Sequence, residues 1–273
     1  AAAARRAPGE PAIAIDTVAG DGAGQRRFMR IAVINDDMPF LVDSLASTVA
    51  ARGIGIDRLI HPVVAVRRDA DQTLVDLPEG PAANGERRES MVYMEAERID
   101  ARGRKALAAA LTDTLGDVRA AVRDWPAMQA AMAADADRTA DSEGAALLRW
   151  LKDGMLTQLG HLTYHRDGTV ADALGICRRD ADGILGEISY QRAFAWFEQP
   201  GARAPLIVKS NRISAVHRRT PLDLFIVPVV DQGRVTALSV HAGIWTSAAL
   251  AAPPMQVPRL RQQLGALNQK FGF

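Results

Sequence analysis

The residues best suited to chemistry lie in one short run, Asn35-Asp36-Asp37-Met38-Pro39-Phe40. The preceding segment, Phe28 to Ile34, has the alternating pattern of a strand, and Pro39 suits the first turn of a helix. Such a strand-to-helix turn would expose Asn35 and Asp36 beside backbone N–H groups that have no partner within the helix. This geometry can hold a small anion or an amino acid. The alternative is that Asp36 or Asp37 simply caps the helix.

A second polar group is basic and precedes a strand hairpin near the end of the chain. Its members, which are positively charged or can become so, are Lys209, Arg212, His217, Arg218 and Arg219. They could form an anion patch for a phosphate or a carboxylate. The alternative, which we favour, is a solvated basic loop that docks on an acidic neighbour, because the interleaved aromatic residues of single-stranded nucleic-acid sites are missing.

Motifs of common catalytic and metal sites are missing from the sequence. The run from Gly20 to Gln25 lacks the third glycine and the following helix of a dinucleotide fingerprint. Neither a phosphate-cradling loop nor a Gly-x-Ser-x-Gly turn occurs. His161 and His165 lie in a strand-like segment without a neighbouring acid or cysteine, so we expect ordinary hydrogen-bonded histidines. We therefore predict no catalytic residue and no metal site.

Composition narrows the possible partners and compartment. The chain has 33 basic and 32 acidic residues and a net charge of +1, so no broad field attracts nucleic acid or an anionic membrane. Its single cysteine, Cys177, suits a reducing cytoplasm and is expected to be a small buried apolar residue. No apolar run is long enough to span a bilayer, which predicts a soluble protein. Because the chain opens without Met, we expect a segment of something longer.

The order of strand-like and helix-like segments in the first part of the chain predicts a helix-covered antiparallel α+β sandwich. The pattern is strand (Phe28 to Ile34), helix (Phe40 to Arg52), strand (Ile56 to Val66), strand (Ser90 to Ile99) and a long helix from Ala101. Gly53 is suited to a left-handed cap after the first helix. Trp125-Pro126 is expected to interrupt the long helix.

The second part predicts a short amphipathic helix around residues 146–151, followed by strands. Its apolar, β-branched runs are Leu174 to Cys177, Leu206 to Ser210, Leu222 to Val230 and Val235 to Trp245. Asp231-Gln232-Gly233-Arg234 predicts a hairpin between the last two. Helical spacing returns from Pro258 to Phe271.

Several motifs, in a shared order, resemble the amino-terminal region of the large bacterial NAD-specific glutamate dehydrogenases. The resemblance covers nearly the whole chain from about Phe28. It is carried by residues 35–44 and 60–68, and then by Leu147 to Leu151, Leu159-Gly160, Leu174 to Ile176, Val208 to Asn211, Ser214 to Arg218 and Gly243 to Ser247.

The resemblance implies a regulatory region, because this family couples a long amino-terminal region to a distant catalytic domain. That domain converts L-glutamate, NAD and water to 2-oxoglutarate, ammonia and NADH. The catalytic lysines and the nucleotide-binding motif of the family have no counterpart here. We therefore expect no catalysis and no cofactor in this segment. Its expected partners are other domains and subunits of a cytoplasmic homo-oligomer.

Composition and spacing predict a flexible arm (1–27), a helical linker (126–142) and a connecting helix (253–273). The resemblance implies an ACT-like βαββαβ sandwich (28–125) and a PAS-like or second ACT-like α/β domain (143–252). ACT domains often bind amino acids at a turn that has Gly after an Asp-x-Pro sequence. Phe40 follows Pro39 here, which favours an interface loop over an effector site. We thus expect a regulatory and assembly segment that senses an amino acid, or a purely structural oligomerisation scaffold.

Overall fold

The computed structural model describes residues 4–18, 27–78, 80 and 86–272. The chain divides into two compact units. The first comprises Ala1–Val118 and the short segment Ala215–Arg218, and the second comprises Arg119–Ser214 and Arg219–Phe273. Each unit contains one antiparallel sheet, so the chain is of the mixed α/β type that the sequence predicts.

The sheet of the first unit has the order β1-β2-β6-β4-β5, with β3 also paired to β6. Two helices accompany it: α1, and the part of α2 that belongs to this unit. The elements are β1 (Ala12–Val18), β2 (Phe28–Asp36), α1 (Leu41–Ala50), β3 (Ile56–Ile60), β4 (Val63–Arg68), β5 (Leu74–Asp76), β6 (Arg87–Ala96) and α2 (Ala101–Arg138).

Alternation along the strands and helical spacing build the core of this unit. Alternate residues of β2 and β6 are buried, and α1 and α2 each bury one apolar stripe. The buried set includes Met29, Ile31, Val33, Val92, Met94, Leu41, Leu45, Val49, Leu107, Leu111 and Leu115. The hydroxyls of Thr48 and Thr114 are 2.8 Å apart within this core and link the two helices.

Strand β1 lies where a flexible arm was expected, and it adds a strand that the expected order does not contain. It pairs antiparallel with β2 along its whole length, from Ala12 opposite Ile34 to Val18 opposite Phe28. Residues 12–18 therefore belong to the sheet rather than to a flexible arm. In the described part of this unit no strand follows α2, so the order agrees with βαββαβ only through the second helix, and β1 flanks β2 instead.

Two prolines change the expected element boundaries in opposite ways. Pro62 has no N–H to donate, and the predicted strand Ile56 to Val66 divides at this point into β3 and β4, both paired with β6. Pro126, by contrast, does not interrupt the long helix, because α2 runs without a break from Ala101 to Arg138. Burial of Met128 and Met132 beyond the proline offsets the one lost hydrogen bond. Gly53 has the predicted positive φ, 71°, but the C-cap of α1 is Ala51 in the right-handed region.

The sheet of the second unit has the order β8-β7-β11-β10-β9, and every pairing is antiparallel. In this unit the part of α2 after Val118 is followed by α3 (Ser142–Trp150), β7 (Leu156–His165), β8 (Val170–Gly175), α4 (Glu187–Phe197), β9 (Leu206–Ile213), β10 (Pro221–Asp231), β11 (Arg234–Trp245), α5 (Ser247–Ala251) and α6 (Leu260–Phe271).

The core of the second unit lies against the middle strands of its sheet. Residues from α2 and α3 pack with apolar side chains of β7 and β10 in one cluster, which contains Met132, Ala136, Leu147, Leu148, Leu151, Leu156, Phe225 and Val227. The predicted hairpin is confirmed: Gln232 and Gly233, both at positive φ, connect β10 to β11.

Candidate functional site

The run predicted to carry chemistry lies at the turn from β2 to α1: Asn35 and Asp36 are the last residues of β2, and residues 37–40, with the end of the strand, form the candidate loop. Phe40 occupies the N-cap position of α1 at φ 70°, and no side chain caps the helix. Asp36 and Asp37 therefore do not have the capping role that was the alternative interpretation. Met38 is half-buried and Pro39 is exposed. A bulky residue in the left-handed region is uncommon and marks local strain at this turn.

Asp36 is covered by the amino-terminal segment of the chain. Its Oδ1 accepts a hydrogen bond from Arg6 Nη2 at 2.6 Å, and its Oδ2 accepts one from the backbone N–H of Gly9 at 2.8 Å. Asn35 is buried, and its Nδ2 donates to the Asp36 carbonyl oxygen at 2.9 Å. The carboxylate predicted to meet a ligand already has partners from its own chain.

Arg6 also belongs to a buried ionic cluster, which consists of Arg6, Asp36, Arg68 and Glu89. Glu89 is fully buried and accepts from Arg6 Nη2 at 2.7 Å. Arg68 donates to both of its carboxylate oxygens, through Nε at 2.8 Å and Nη2 at 2.9 Å. This bidentate geometry is among the strongest pairings of charged side chains.

The ionic cluster favours the charged forms of Glu89 and Arg6 despite their burial. Burial raises the pKa of Glu89, but hydrogen bonds from Arg68 and Arg6 outweigh it, so the pKa lies below the usual value. Burial likewise lowers the pKa of Arg6, and the hydrogen bonds to Glu89 and Asp36 raise it above the ordinary value. The cluster therefore fixes residues of the amino-terminal segment to the loop at neutral pH.

Asp37 points to a different set of partners. It accepts a hydrogen bond from Ser90 Oγ at 2.7 Å and lies 3.6 Å from Arg88 Nε. Ser90 is in turn 3.1 Å from His61 Nε2. The two neighbouring acids of the loop thus serve separate contacts, and Asp37 is the more exposed of the two.

The predicted basic group is divided between the two units. His217 and Arg218 belong to the segment assigned to the first unit, whereas Lys209, Arg212 and Arg219 belong to the second. Lys209 lies 2.8 Å from the Asp223 carboxylate. Arg212 donates to the Asp180 carbonyl oxygen at 2.8 Å, and Arg219 is exposed. Within the second unit, Lys209 and Arg212 thus contact different partners.

His217 is the member of the group that reaches the candidate loop. Its backbone N–H donates to Ser44 Oγ at 2.8 Å, and its Nδ1 lies 3.0 Å from Asp43 Oδ2. Its ring centroid is 5.4 Å from that of Phe40. Both residues have positive φ, 63° for His217 and 70° for Phe40. Two strained residues therefore contact each other where α1 begins.

A buried polar network in the second unit was not predicted. The Asp135 carboxylate accepts hydrogen bonds from Ser239 Oγ and lies 2.7 Å from His241 Nε2. Gln158 Nε2 is 3.0 Å from His241 Nδ1, and Gln129 Nε2 donates to Gln158 at 3.0 Å. These residues connect α2 to β7 and β11, and their separation in the sequence explains why no local motif indicates them.

His161 stacks on His241 with ring centroids 4.8 Å apart. It is 5% exposed, and its Nδ1 has no hydrogen-bond partner within the described ranges. This differs from the ordinary hydrogen-bonded histidine that we expected. Burial and the neighbouring His241 lower the pKa of His161 to about 4. His165 lies on the same strand and is half-buried.

Cys177 is buried, and burial raises the pKa of its thiol to about 12. This environment makes it a poor nucleophile, in line with the small apolar role predicted for it. Among the residues that the structure describes, no group of three or more His, Cys, Asp and Glu side chains could hold a metal ion. The same part of the chain has no helix long and apolar enough to cross a membrane.

The first unit resembles a domain of a known protein family. Residues 1–111 match the family model described as "Glutamate dehydrogenase, ACT1 domain". Residues 1–111 of the first unit are therefore similar to a glutamate dehydrogenase ACT1 domain. The match begins at residue 1, so it includes the segment that carries Arg6 and strand β1. The ionic cluster therefore lies entirely within the residues that match the ACT1 model.

Two relatives match most of the chain. The NAD-specific glutamate dehydrogenase of Halomonas elongata is 29% identical over 268 residues, which cover 89% of this chain and 17% of the relative. That of Pseudomonas aeruginosa is 28% identical over 269 residues, which cover 89% of this chain and 16% of the relative. The chain thus spans about a sixth of their length. These matches confirm the resemblance to an amino-terminal region of large NAD-specific glutamate dehydrogenases.

A solved structure, that of an RNA-binding Light-Oxygen-Voltage receptor, aligns over 95% of this chain and 82% of its own. The identity is 11% and the TM-score is 0.22. A likeness at this level carries no argument about the fold of the second unit.

Proposed function

We propose that this chain is a non-catalytic regulatory and assembly segment of an NAD-specific glutamate dehydrogenase. The relatives and the ACT1 domain support this proposal. In the parent enzyme, L-glutamate, NAD and water would give 2-oxoglutarate, ammonia and NADH at a catalytic domain elsewhere in the protein. This segment would then hold no cofactor and would work with other domains and subunits of a cytoplasmic homo-oligomer. Its second unit, a helix-covered antiparallel sheet, would be a PAS-like sensor domain.

One observation carries the proposal: the candidate loop is held by contacts rather than open for chemistry. Arg6 and Gly9 occupy Asp36, and Phe40 lies against His217. A regulatory segment needs two arrangements that a ligand or a partner can bind with different affinity. A loop fixed by charged contacts and by two strained residues supplies one such arrangement.

An amino-acid effector would bind at this loop by replacing contacts that the chain makes with itself. Its ammonium group would replace Arg6 and the Gly9 amide at Asp36, with Asn35 and Asp37 beside it, while its carboxylate would meet the first amides of α1, which no side chain caps. Such an effector would shift the equilibrium only by the difference between its affinities for the two arrangements, typically about 1–3 kcal/mol.

Calorimetry with aspartate, glutamate, arginine and branched amino acids tests the effector. We expect binding in the millimolar range or tighter, and we expect Asp36→Asn to weaken it about tenfold through the lost charge. Asp16→Asn is the matched control, because Asp16 forms an exposed ion pair with Arg30 on β1 and β2, away from the loop. If none of the amino acids binds at millimolar concentration, effector sensing at this loop is wrong.

The second candidate function is a purely structural scaffold, and the partners already present at Asp36 and Phe40 favour it. In that case the exposed Asp37 would dock on a basic surface of another subunit. Asp37→Lys should then change the oligomer size measured by light scattering. An unchanged size would argue against the scaffold. Glutamate-dependent NAD reduction by this chain alone would contradict both proposals.

A further inference from the structure

A cavity of the second unit lies at the β10–β11 turn and the end of α4. Its volume is about 690 Å³, within the range of small-molecule sites. Three arginines line it, together with one acid and apolar side chains. The lining includes Arg166, Arg203, Arg234, Glu198, Phe197 and Val235. None of these residues belongs to the candidate loop or to the predicted basic group.

Arg166 is held in one orientation at this cavity. Its Nη2 donates to Glu198 Oε1 at 2.7 Å and to the Val235 carbonyl oxygen at 3.1 Å. Its guanidinium carbon also lies 4.6 Å from the centre of the Phe194 ring. Its Nη1 makes no hydrogen bond to any residue in the described ranges, so two N–H groups remain available. An oriented guanidinium with free donors loses little entropy when it binds an oxyanion.

The other two arginines leave the cavity with excess positive charge. Arg203 is exposed, and its one hydrogen bond goes to the carbonyl oxygen of the preceding Ala202. The exposed side chain of Arg234 has no ion pair or hydrogen bond to a residue that the structure describes. Glu198 is the one acid in the lining and already pairs with Arg166. Arg203 and Arg234 therefore have no ion pair with an acid of the lining.

We propose that this cavity binds a small organic anion that carries at least two phosphate or carboxylate groups. Guanidinium groups match both kinds of oxyanion, and two charged groups on the ligand can engage separate arginines. Val230, which is exposed, and Val235 supply an apolar wall for the organic part of the ligand. This site is independent of the amino-acid exchange proposed above, so either proposal can fail without the other.

Calorimetric titration of the chain with pyrophosphate, adenosine diphosphate and succinate tests the proposal, with acetate as the singly charged reference. We expect at least one of the three to bind more tightly than acetate, with an affinity that falls as salt is added. Tighter binding of the phosphates would identify a phosphate-bearing ligand, and tighter binding of succinate a dicarboxylate. Both results support the site.

Arg234→Gln and Arg203→Gln remove one donor group each at exposed positions, so the fold should be unaffected. We expect each to weaken binding about tenfold. Arg192→Gln is the matched control, because Arg192 is an exposed arginine of α4 that does not line the cavity. Equal weakening in all three variants would show a nonspecific charge effect and overturn the proposal. No binding of any probe at about 10 mM would overturn it as well.

Discussion

The buried histidine of the second unit should make stability depend on pH between about 5 and 6.5. His161 has a pKa of about 4 in the folded chain, against about 6.5 for an unperturbed histidine. Between these values the unfolded chain binds a proton that the folded chain excludes. The free energy of unfolding therefore falls as the pH is lowered through 6.5, and it stops falling, for this group, below about 4.

The size of this effect follows from the two pKa values. Each unit of difference is worth about 1.4 kcal/mol, so the full effect is about 3 kcal/mol, of which about 2 kcal/mol is lost by pH 5. The side chain is 5% exposed, so solvent screening reduces the effect little. The lowered pKa of Asp135 affects stability only at lower pH, near and below the ordinary carboxylate range.

Tryptophan fluorescence during urea unfolding can measure this effect in the second unit alone, because all four tryptophans, Trp125, Trp150, Trp196 and Trp245, belong to it. His161→Phe keeps an aromatic ring against His241 and should remove most of the pH dependence between 5 and 6.5. His165→Phe, on the same strand, is the control and should retain it. A free energy of unfolding that is constant from pH 5 to 7.5 in the parent chain would refute this reasoning.

Three further substitutions probe the sites described above. Glu89→Gln should lower the free energy of unfolding by about 3–5 kcal/mol, because two buried arginines lose their anion. Asp76→Asn removes one partner of an exposed ion pair and should lower it by less than about 1 kcal/mol. Equal losses of the two variants, measured by urea unfolding followed by circular dichroism, would contradict this prediction. Phe40→Gly should be about 1 kcal/mol more stable than Phe40→Ala in the same assay, because glycine adopts a φ of 70° without strain. A Phe40→Ala variant more stable than Phe40→Gly would count against strain at the loop. Gly175→Ala should abolish folding of the second unit, because the added Cβ would overlap a neighbouring carbonyl oxygen. Gly154→Ala, where the space around the glycine is open, should lower the free energy of unfolding by only about 1 kcal/mol. A Gly175→Ala variant that is folded by tryptophan fluorescence would show that the backbone can move aside.

The sequence was most informative where the signal is local. The alternation in β2 and β6, the positive φ of Gly53 and the hairpin before Arg234 all follow from residue type and spacing over a few positions. The loop between β2 and α1 was located in the same way. Pro126 shows the limit of such signals, because the burial of residues beyond it offsets the hydrogen bond that the proline removes.

The contacts of the candidate loop could not be read from local pattern. Arg6 lies 30 positions before Asp36 and 83 positions before Glu89, and nothing around it distinguishes it from the other arginines of the amino-terminal segment. The same holds for Asp135 and His241, which are 106 positions apart. Charge pairing at such separations depends on which strands become neighbours.

By itself, the sequence determined the elements, the division into two α/β parts, the position of the loop and the resemblance to the regulatory region of a glutamate dehydrogenase family. Only the tertiary structure decided that β1 joins the sheet, that Arg6 covers Asp36 and that His217 contacts Phe40. The physical reason is that periodicity and turn chemistry act over a few residues. Burial and ion pairing are decided only after distant segments meet, where the energy of each charge depends on its final neighbours.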